Sequence, residues 1–352
     1  MTINRSVVAF SALLALTPLA VAQKRPAPVD LGTLGGSFST ANGTNTYDTV
    51  VGGANVFGDV YTHAVYTNSA GFLVDVGSLL GVYGNSTANS IGSKGAITGT
   101  SDQIIDSDGD VASHAFYLTG PRAAMVDLGT NGGTLASGNA TQNGQVAGAA
   151  TVAGDVAYTA FYWTKAGGML NLNTLAGDFG AEGYNSYAYG IDSVGVVVGS
   201  SDSPDGTTHA VAWAAKTHAI FDLKTLGGSY AQANAVNDNY MIVGFSTLEG
   251  DAQTDAFISQ KGAGLQDIGT LGGSYAQANA VNNNGVVVGS SNITGDTDVH
   301  AFVWTQGGGM VDLNSLLPDG SPWDLSSANG VAPDGSIVGV GIINGEFHGF
   351  LW

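Results

Sequence analysis

The sequence predicts an all-β protein, a seven-bladed β-propeller with four strands per blade that is closed by its own N-terminal strand. Three observations lead to this prediction. The chain repeats itself seven times with a period of roughly 45 residues, the length of one four-stranded blade. Its 54 glycines, and its many aspartates beside only three glutamates, favour strands and turns over helices. The first and the last strand of the repeat region also occupy different positions within the repeat unit.

The residues before the repeats have the features of a secretory signal. A positively charged start and an apolar run at 7–19 are followed by Ala20, Val21 and Ala22, the small residues of a cleavage site. We therefore expect a signal peptide at 1–22, a linker at 23–28 and a single secreted domain at 29–352, extracellular or periplasmic. No later segment has the about 18 apolar residues of a membrane span.

Three landmarks define the repeat, which is strongest where 225–237 and 270–282 both read TLGGSYAQANAVN. The first is an Asp that opens a D-L-G-like run, with one Asn: Asp30, Asp75, Asp127, Asn171, Asp222, Asp267 and Asp312. The second is the Gly that ends a V-V-V-G-like run: Gly52, Gly99, Gly148, Gly199, Gly244, Gly289 and Gly339. The third opens an H-A-F-like run: His63, His114, Thr159, His209, Asp255, His300 and His348.

Each copy divides into four short strands. In the sixth copy we predict strands at 276–281, 286–290, 300–305 and 310–313, with a hairpin at 292–298. The domain begins with the fourth strand of a unit at Val29 and ends with the third strand of a unit at Trp352. The two ends therefore complete one blade, as a ring without free edges requires. A β-solenoid or a stack of hairpins is the alternative, and a solenoid would carry polar caps.

At these landmarks the chain resembles the HAF family of extracellular repeat proteins. The motif stands here as His114-Ala115-Phe116 and His300-Ala301-Phe302, and Asp30 to Ser37 reads DLGTLGGS. The resemblance covers the chain from about Val29 to Trp352. It implies an exported repeat protein, with no established activity and no catalytic residues. Copies three and five depart from the motif.

Composition excludes several classes of function. The net charge of −19 repels phosphate backbones, so we predict no nucleic-acid binding. The absence of cysteine removes disulfides, thiol catalysis and cysteine-ligated metals. The chain also has no G-x-S-x-G, H-E-x-x-H or phosphate-loop motif. We expect a monomer without a cofactor.

Loop lengths predict which face binds. Insertions fall between strands two and three of the second copy (102–113), and between the fourth strand and the next unit at 178–184 and 318–323. Up-and-down strand order places both loop types on one face, here called the insertion face, and insertions on one face of a repeat array mark its binding side.

Aromatic side chains follow the L-G-G loop in six copies: Phe38, Tyr83, Phe179, Tyr230, Tyr275 and Trp323. From these and the adjacent insertion we predict ligand contacts at Tyr83, Phe179, Tyr184, Tyr230, Tyr275 and Trp323, because aromatic faces stack on sugar rings and anchor peptides. Packing between blades is the alternative. The recurring histidines of the third landmark are predicted to be structural. The same prediction covers the first-strand asparagines Asn42, Asn89, Asn139, Asn234, Asn279 and Asn329.

A calcium site is a further hypothesis. Asp106, Asp108 and Asp110 alternate like the opening of a calcium loop, although the later Glu of an EF-hand loop is missing. Turn formation by Gly-Asp pairs is the alternative.

These patterns predict a secreted, non-catalytic binding module for an extracellular glycan or a surface protein. The alternatives are an enzyme acting on extracellular polysaccharides through carboxylates such as Asp178 and Glu182, and a calcium-stabilised adhesive or structural protein.

Overall fold

The computed structural model describes residues 26–104, 109–177, 183–261 and 263–352. Strands dominate these residues, and two one-turn 3-10 helices, Ala153–Asp155 and Leu313–Leu316, are the helical elements within them. The prediction of an all-β protein is confirmed. The expected signal peptide at 1–22 lies outside the described residues.

The strands form antiparallel groups of four. After β1 (Val29–Asp30), the first groups are β2 (Gly35–Thr44), β3 (Val50–Val56), β4 (Thr62–Thr67) and β5 (Leu73–Gly77); β6 (Ser86–Ile91), β7 (Ile97–Ile104), β8 (Val111–Leu118) and β9 (Val126–Asp127); and β10 (Gly132–Gln142), β11 (Gln145–Val152), β12 (Tyr158–Thr164) and β13 (Gly168–Asn171).

The later groups repeat the pattern: β14 (Ser186–Ile191), β15 (Val197–Asp202), β16 (Thr208–Trp213) and β17 (Ile220–Lys224); β18 (Gly227–Val236), β19 (Ile242–Leu248), β20 (Thr254–Ser259) and β21 (Leu265–Gly269); and β22 (Gly272–Val281), β23 (Val287–Ile293), β24 (Val299–Thr305) and β25 (Gly309–Asp312). The last group contains β26 (Trp323–Val331), β27 (Ile337–Ile343) and β28 (Glu346–Leu351), and its fourth strand is β1. Each group is called a unit, numbered one to seven in chain order.

The first strand of a unit alternates between two environments. In β22, Ala276 and Ala278 are fully buried, whereas Tyr275, Gln277 and Asn279 are half-buried. This period of two is the pattern of a strand with one tightly packed face. The strand begins four residues before the predicted position 276, because the glycine-rich segment also pairs with the second strand.

A glycine is required where the first and second strands bulge. The register shifts by one residue between the pairs Ala278↔Gly289 and Ala280↔Val288. A β-carbon on Gly289 would overlap the carbonyl oxygen of Gln277. The equivalent glycines of the other units meet a first-strand carbonyl in the same way, which is the physical reason for the second landmark.

The core lies between adjacent units. The third strand contributes a fully buried aromatic ring in five units: Phe116, Phe161, Phe257, Phe302 and Phe350. Val65 and Val211 take that position in the other two. Each unit contacts the next one along the chain, and β2 of unit one contacts β26, β27 and β28 of unit seven.

Candidate functional site

The insertion face is held together by hydrogen bonds between its loops. In unit one, the Asp59 carboxylate in the loop between strands two and three accepts hydrogen bonds from the backbone amide and the hydroxyl of Ser37, at 2.8 and 3.1 Å. The start of the first strand and the end of the second therefore lie together. The insertion at 102–113 is partly an extension of β7 and β8, which stay paired as far as Ile104 and Val111.

Four Gly-Asp hairpins have the same role, and this role was missed in the sequence. Their carboxylates accept from the first strand of their own unit through the pairs Asp59–Ser37, Asp155–Thr134, Asp251–Ser229 and Asp296–Ser274. These hydrogen bonds lower the pKa of each carboxylate. In these four units, a β-carbon on the second glycine of the G-G pair would collide with that carboxylate and with a backbone carbonyl of the second strand, which explains the glycine.

The recurring histidines pair with the fourth strand of their unit. Their Nδ1 atoms lie 2.7 to 3.1 Å from the first-landmark carboxylates in the pairs His63–Asp75, His114–Asp127, His209–Asp222, His300–Asp312 and His348–Asp30. The last pair joins residues that are 318 positions apart in the chain. These contacts fit the predicted structural role.

Units three and five lack this pair. In unit three, Thr159 donates a hydrogen bond to the carbonyl of Ala150, and Asn171 replaces the aspartate. In unit five, the buried Asp255 accepts from Gln253 and faces Asp267. Burial raises the pKa of Asp255, and the nearby charge of Asp267 raises it further.

The first-strand asparagines connect neighbouring units. Each donates its side-chain amide, at 2.8 to 3.1 Å, to a backbone carbonyl of the next unit in the pairs Asn42–Ala88, Asn89–Gly138, Asn139–Ala188, Asn234–Ala278, Asn279–Ala328 and Asn329–Ala41. The last pair joins unit seven to unit one. In unit four, Tyr189 replaces the asparagine.

Around this exception lies a cluster of aromatic rings, here called the aromatic stripe. It contains Tyr158, Tyr187, Tyr189, Tyr230, Phe245 and Tyr275, from units three to six. Ring centroids are 5.3 Å apart for Tyr158–Tyr187, 6.1 Å for Tyr187–Tyr189, 5.8 Å for Tyr230–Phe245 and 6.1 Å for Phe245–Tyr275. These spacings are within the 4.5–7 Å range of interacting aromatic pairs.

Hydrogen bonds fix the orientation of two of the rings. The Tyr230 hydroxyl donates to Gln232 at 2.9 Å, the Gln232 amide donates to Asn234 at 2.7 Å, and Asn234 in turn bridges to the next unit. The Tyr275 hydroxyl donates to Gln277 at 2.8 Å.

Burial shifts the pKa of four of the five phenols in the stripe. It raises the pKa of Tyr187 to about 12, and the neighbouring Tyr158, Asp202 and Tyr230 add to this shift. Burial also raises the pKa of Tyr189, Tyr230 and Tyr275.

The structure brings only part of the predicted ligand set together. Tyr230 and Tyr275 belong to the aromatic stripe, whereas the half-buried Tyr184 precedes β14 and has no ring contact with the stripe. Tyr83 is exposed between units one and two. Phe179 lies outside the described residues, as do Asp178 and Glu182 of the enzyme hypothesis.

Trp323 does not fit the predicted role of a ligand contact. Its side chain is 6% exposed, its indole nitrogen donates to the carbonyl of Pro28 at 3.2 Å, and its ring packs edge-on against Phe350. The ring docks the segment before β1 onto unit seven, and this packing leaves little of it exposed for a ligand.

The calcium hypothesis concerns three aspartates, and the described residues include one of them, Asp110. Asp106 and Asp108 lie outside them, and Asp110 lies at the border. Within the described ranges, no group of three or more His, Cys, Asp or Glu side chains is arranged to hold a metal ion.

An open cleft of about 470 Å³ lies on the insertion face between units six and seven, and Asp319, Trp323 and Asp324 line it. His300 lines it too, with its Nε2 atom 4.0 Å from the Asp324 carboxylate. Two acids thus share one cleft, while the aromatic ring beside them is buried. Among the described residues, no helix is long and apolar enough to cross a membrane.

Comparison with known proteins identifies the fold. No family model matches the chain, and neither does any curated protein. The β-propeller domain of the Trilobed protease from Pyrococcus furiosus, which has an open velcro topology, is similar over 90% of this chain and 92% of its own, with a TM-score of 0.54 and 10% identity.

Two peptidase structures are similar over about half of their own length. Pyrococcus horikoshii acylaminoacyl peptidase has a TM-score of 0.52 and 11% identity, covering 91% of this chain and 51% of that one. Puromycin hydrolase has a TM-score of 0.52 and 13% identity, covering 93% and 52%. At such identities the likeness shows the fold alone. The protein has a β-propeller fold.

Proposed function

We propose that this protein is a secreted, non-catalytic binding module of the HAF type, built as a closed, monomeric seven-bladed propeller. Closure is supported by the contacts of unit seven with unit one and by the Asn329 bridge to Ala41. It is also supported by the pairing of β1 with β28. Such a splice would distinguish this ring from the open topology of the Pyrococcus furiosus propeller domain.

The aromatic stripe carries the functional proposal. Its rings form two groups of interacting rings, one from units three and four and one from units five and six, and together they offer several aromatic groups for binding. Aromatic faces stack on the apolar faces of sugar rings, and phenol hydroxyls and carboxylates bind the sugar hydroxyls. Asp202 lies beside Tyr187 and Tyr230 and supplies such a carboxylate. The ligand proposed for this surface is an extracellular glycan chain.

A glycan array followed by calorimetry tests this proposal. With the best glycan, Tyr230→Ala and Tyr275→Ala are each expected to weaken binding about 10- to 30-fold, the loss that a central aromatic contact causes. Tyr230→Phe keeps the ring and should cost less. The matched control is Tyr47→Ala, an exposed tyrosine at the opposite end of the fold, and it should bind normally. If no glycan binds, or if the stripe variants bind like the wild type, the proposal fails.

A second candidate function is supported by the cleft between units six and seven. A polysaccharide-active enzyme needs two carboxyl groups about 5–10 Å apart, and Asp319 and Asp324 line one cleft. Release of reducing ends from extracellular polysaccharides, abolished by Asp324→Asn, would favour the enzyme over the binding module. The His300–Asp312 pair does not itself indicate catalysis, because four other units have the same pair.

Export and calcium binding are separate parts of the proposal. Cleavage before Gln23 is expected, and N-terminal sequencing of the mature protein tests it directly. The calcium-stabilised adhesive function depends on the segment with Asp106 and Asp108, and a melting experiment described below addresses it.

A further inference from the structure

Charge is distributed unevenly between the two ends of the fold. The insertion-face end comprises the loops after the second and fourth strands together with the adjacent strand ends. Of the 24 acidic side chains among the described residues, 20 lie at this end and four (Asp48, Asp192, Asp238 and Asp334) at the other.

The basic side chains are distributed in the opposite way. Of six in the same ranges, five lie at the opposite end: Lys94, Arg122, Lys165, Lys216 and Lys261. The sixth, Lys224, is paired with Asp222. The insertion face is therefore strongly anionic, and the opposite face is nearly neutral. A face of one sign attracts partners of the other sign over roughly a Debye length.

Within this anionic face, exposed large apolar side chains are concentrated in units one and two, whereas Val156, Val299 and Phe347 are exposed singly in other units. Phe57 is 85% exposed, and five further side chains on three adjacent loops of units one and two are each more than half exposed. The six form the apolar patch: Phe57, Val60, Val82, Tyr83, Ile104 and Val111. Contiguous exposed patches beyond a few hundred Å² are rare on monomeric proteins and mark interaction sites.

Hydrogen bonds hold the three loops of the patch together. The backbone amide of Thr62, which follows the Phe57 hairpin, donates to the Asn85 side chain at 3.1 Å. The backbone amide of Asn85, two residues after Tyr83, donates to the Asp102 carboxylate at 2.7 Å. Asp102 lies in β7, two residues before Ile104. The patch thus spans two units that these hydrogen bonds connect.

We propose that the apolar patch docks a cationic amphipathic polypeptide segment, one that presents apolar side chains on one face and lysine or arginine on the other. The apolar side chains would cover Phe57, Tyr83 and their neighbours, and the basic ones would meet the surrounding carboxylates. The charge of the face selects this partner. An anionic membrane or a nucleic acid is repelled by it, and the opposite face of a second copy carries too few cations to neutralise it.

This inference is independent of the glycan proposal, because the patch lies over units one and two and the aromatic stripe over units three to six. The two surfaces can therefore be tested separately on the same full-length mature protein.

Calorimetry with synthetic peptides provides the test. The probe is an 18-residue Lys/Leu amphipathic peptide, compared with a Glu/Leu peptide of the same pattern and a Lys/Ser peptide without apolar groups. Binding is expected for Lys/Leu only, and it should weaken at least several-fold between 50 and 300 mM NaCl. Phe57→Ser and Tyr83→Ser should each weaken it about tenfold or more, because truncating a central aromatic contact costs at least that much. The exposed side chains leave the core intact.

Matched controls separate the outcomes. Phe72→Ser removes an equally exposed ring at the opposite end and should leave peptide binding unchanged, as should Tyr230→Ala in the stripe. Equal binding of the Glu/Leu peptide, full binding by Phe57→Ser and Tyr83→Ser, or loss of binding in Tyr230→Ala would each overturn the inference. Tighter binding to anionic vesicles than to the Lys/Leu peptide would overturn it as well.

Discussion

The pair Asp255–Asp267 in unit five can be tested through its pH dependence. Asp255 is 4% exposed and stands where five units have a histidine, facing the carboxylate that such a histidine would bind. Its pKa in the fold is raised, so the folded state binds the proton more tightly than the unfolded chain. The stabilising effect of this proton is complete below the unfolded pKa and is lost as the pH rises through the folded pKa.

The structure sets the size of the effect. Asp255→His would place a ring nitrogen beside Asp267 at the 2.7 to 3.1 Å found in the five existing pairs. A hydrogen bond to a charged group contributes about 1.5–3 kcal/mol. Asp255→Asn only removes the repulsion and should contribute about 1 kcal/mol. With about 2.1 cal/mol/K of unfolding entropy per residue over roughly 330 residues, 1 kcal/mol corresponds to about 1.5 °C in melting temperature.

Differential scanning calorimetry at pH 7 and at pH 3 measures this effect. At pH 7, Asp255→Asn is expected to raise the melting temperature by about 1–2 °C and Asp255→His by about 2–4 °C. At pH 3 the gain for Asp255→Asn should vanish, because the aspartate is then protonated in both states. The reverse substitution His114→Asp is the control and should lower stability at pH 7. If Asp255→Asn does not raise the melting temperature at pH 7, or raises it equally at pH 7 and pH 3, the reasoning is refuted.

Three further predictions concern closure, the hairpins and calcium. Asn329→Ala and Asn139→Ala should each cost about 1–3 kcal/mol in urea unfolding, and a much smaller loss for Asn329→Ala would contradict a closed ring. Gly36→Ala, whose β-carbon would meet the hairpin carboxylate, should lower the free energy of unfolding by about 1–3 kcal/mol. Gly120→Ala is the control, because its β-carbon would enter open space, and it should change the free energy of unfolding by less than about 0.5 kcal/mol. Equal effects of the two variants would contradict the role of the motif. Saturating calcium should raise the melting temperature of the wild type by about 4 °C and leave the melting temperature of Asp108→Asn unchanged. If calcium does not shift the melting temperature of the wild type, the metal site is refuted.

The strand pattern was predictable because it depends on local chemistry that recurs. Alternation in segments such as 272–281 and turn glycines mark strands in any single copy, and seven copies repeat the information. The pairing of Val29 with Leu351 was also accessible, because the phase of the repeat at the two ends indicates which strand is missing.

The aromatic stripe was only half predictable. Tyr230 and Tyr275 follow the L-G-G loop and were singled out, but Tyr187, Tyr189 and Phe245 occupy other repeat positions. Two of the ring contacts, Tyr158–Tyr187 and Phe245–Tyr275, join neighbouring units, and no single copy contains them. One clue was present, since Tyr189 breaks the run of first-strand asparagines. The packing of Trp323 was not predictable for the same reason, because its partner Pro28 is 295 residues away.

The charge asymmetry could have been deduced from the sequence once the strands were assigned. Up-and-down order fixes which end each loop occupies, so Asp and Lys could be sorted by end without coordinates. The surroundings of the apolar patch could not have been deduced from the sequence, because the hydrogen bonds of Thr62 to Asn85 and of Asn85 to Asp102 connect different parts of the chain.

The splice between β1 and β28 has a consequence for the order of folding. Units one to six draw their strands from a short stretch of chain, so their pairing requires only small loops to close. Unit seven requires Val29 and Asp30 to find Leu351 and Phe350, across nearly the whole domain. Contacts of such high sequence separation form slowly. Until they form, β28 has an unpaired edge, the kind of strand edge on which chains aggregate. We therefore expect the pairing of β1 with β28 to be a late step of folding, and the step that removes this aggregation-prone edge.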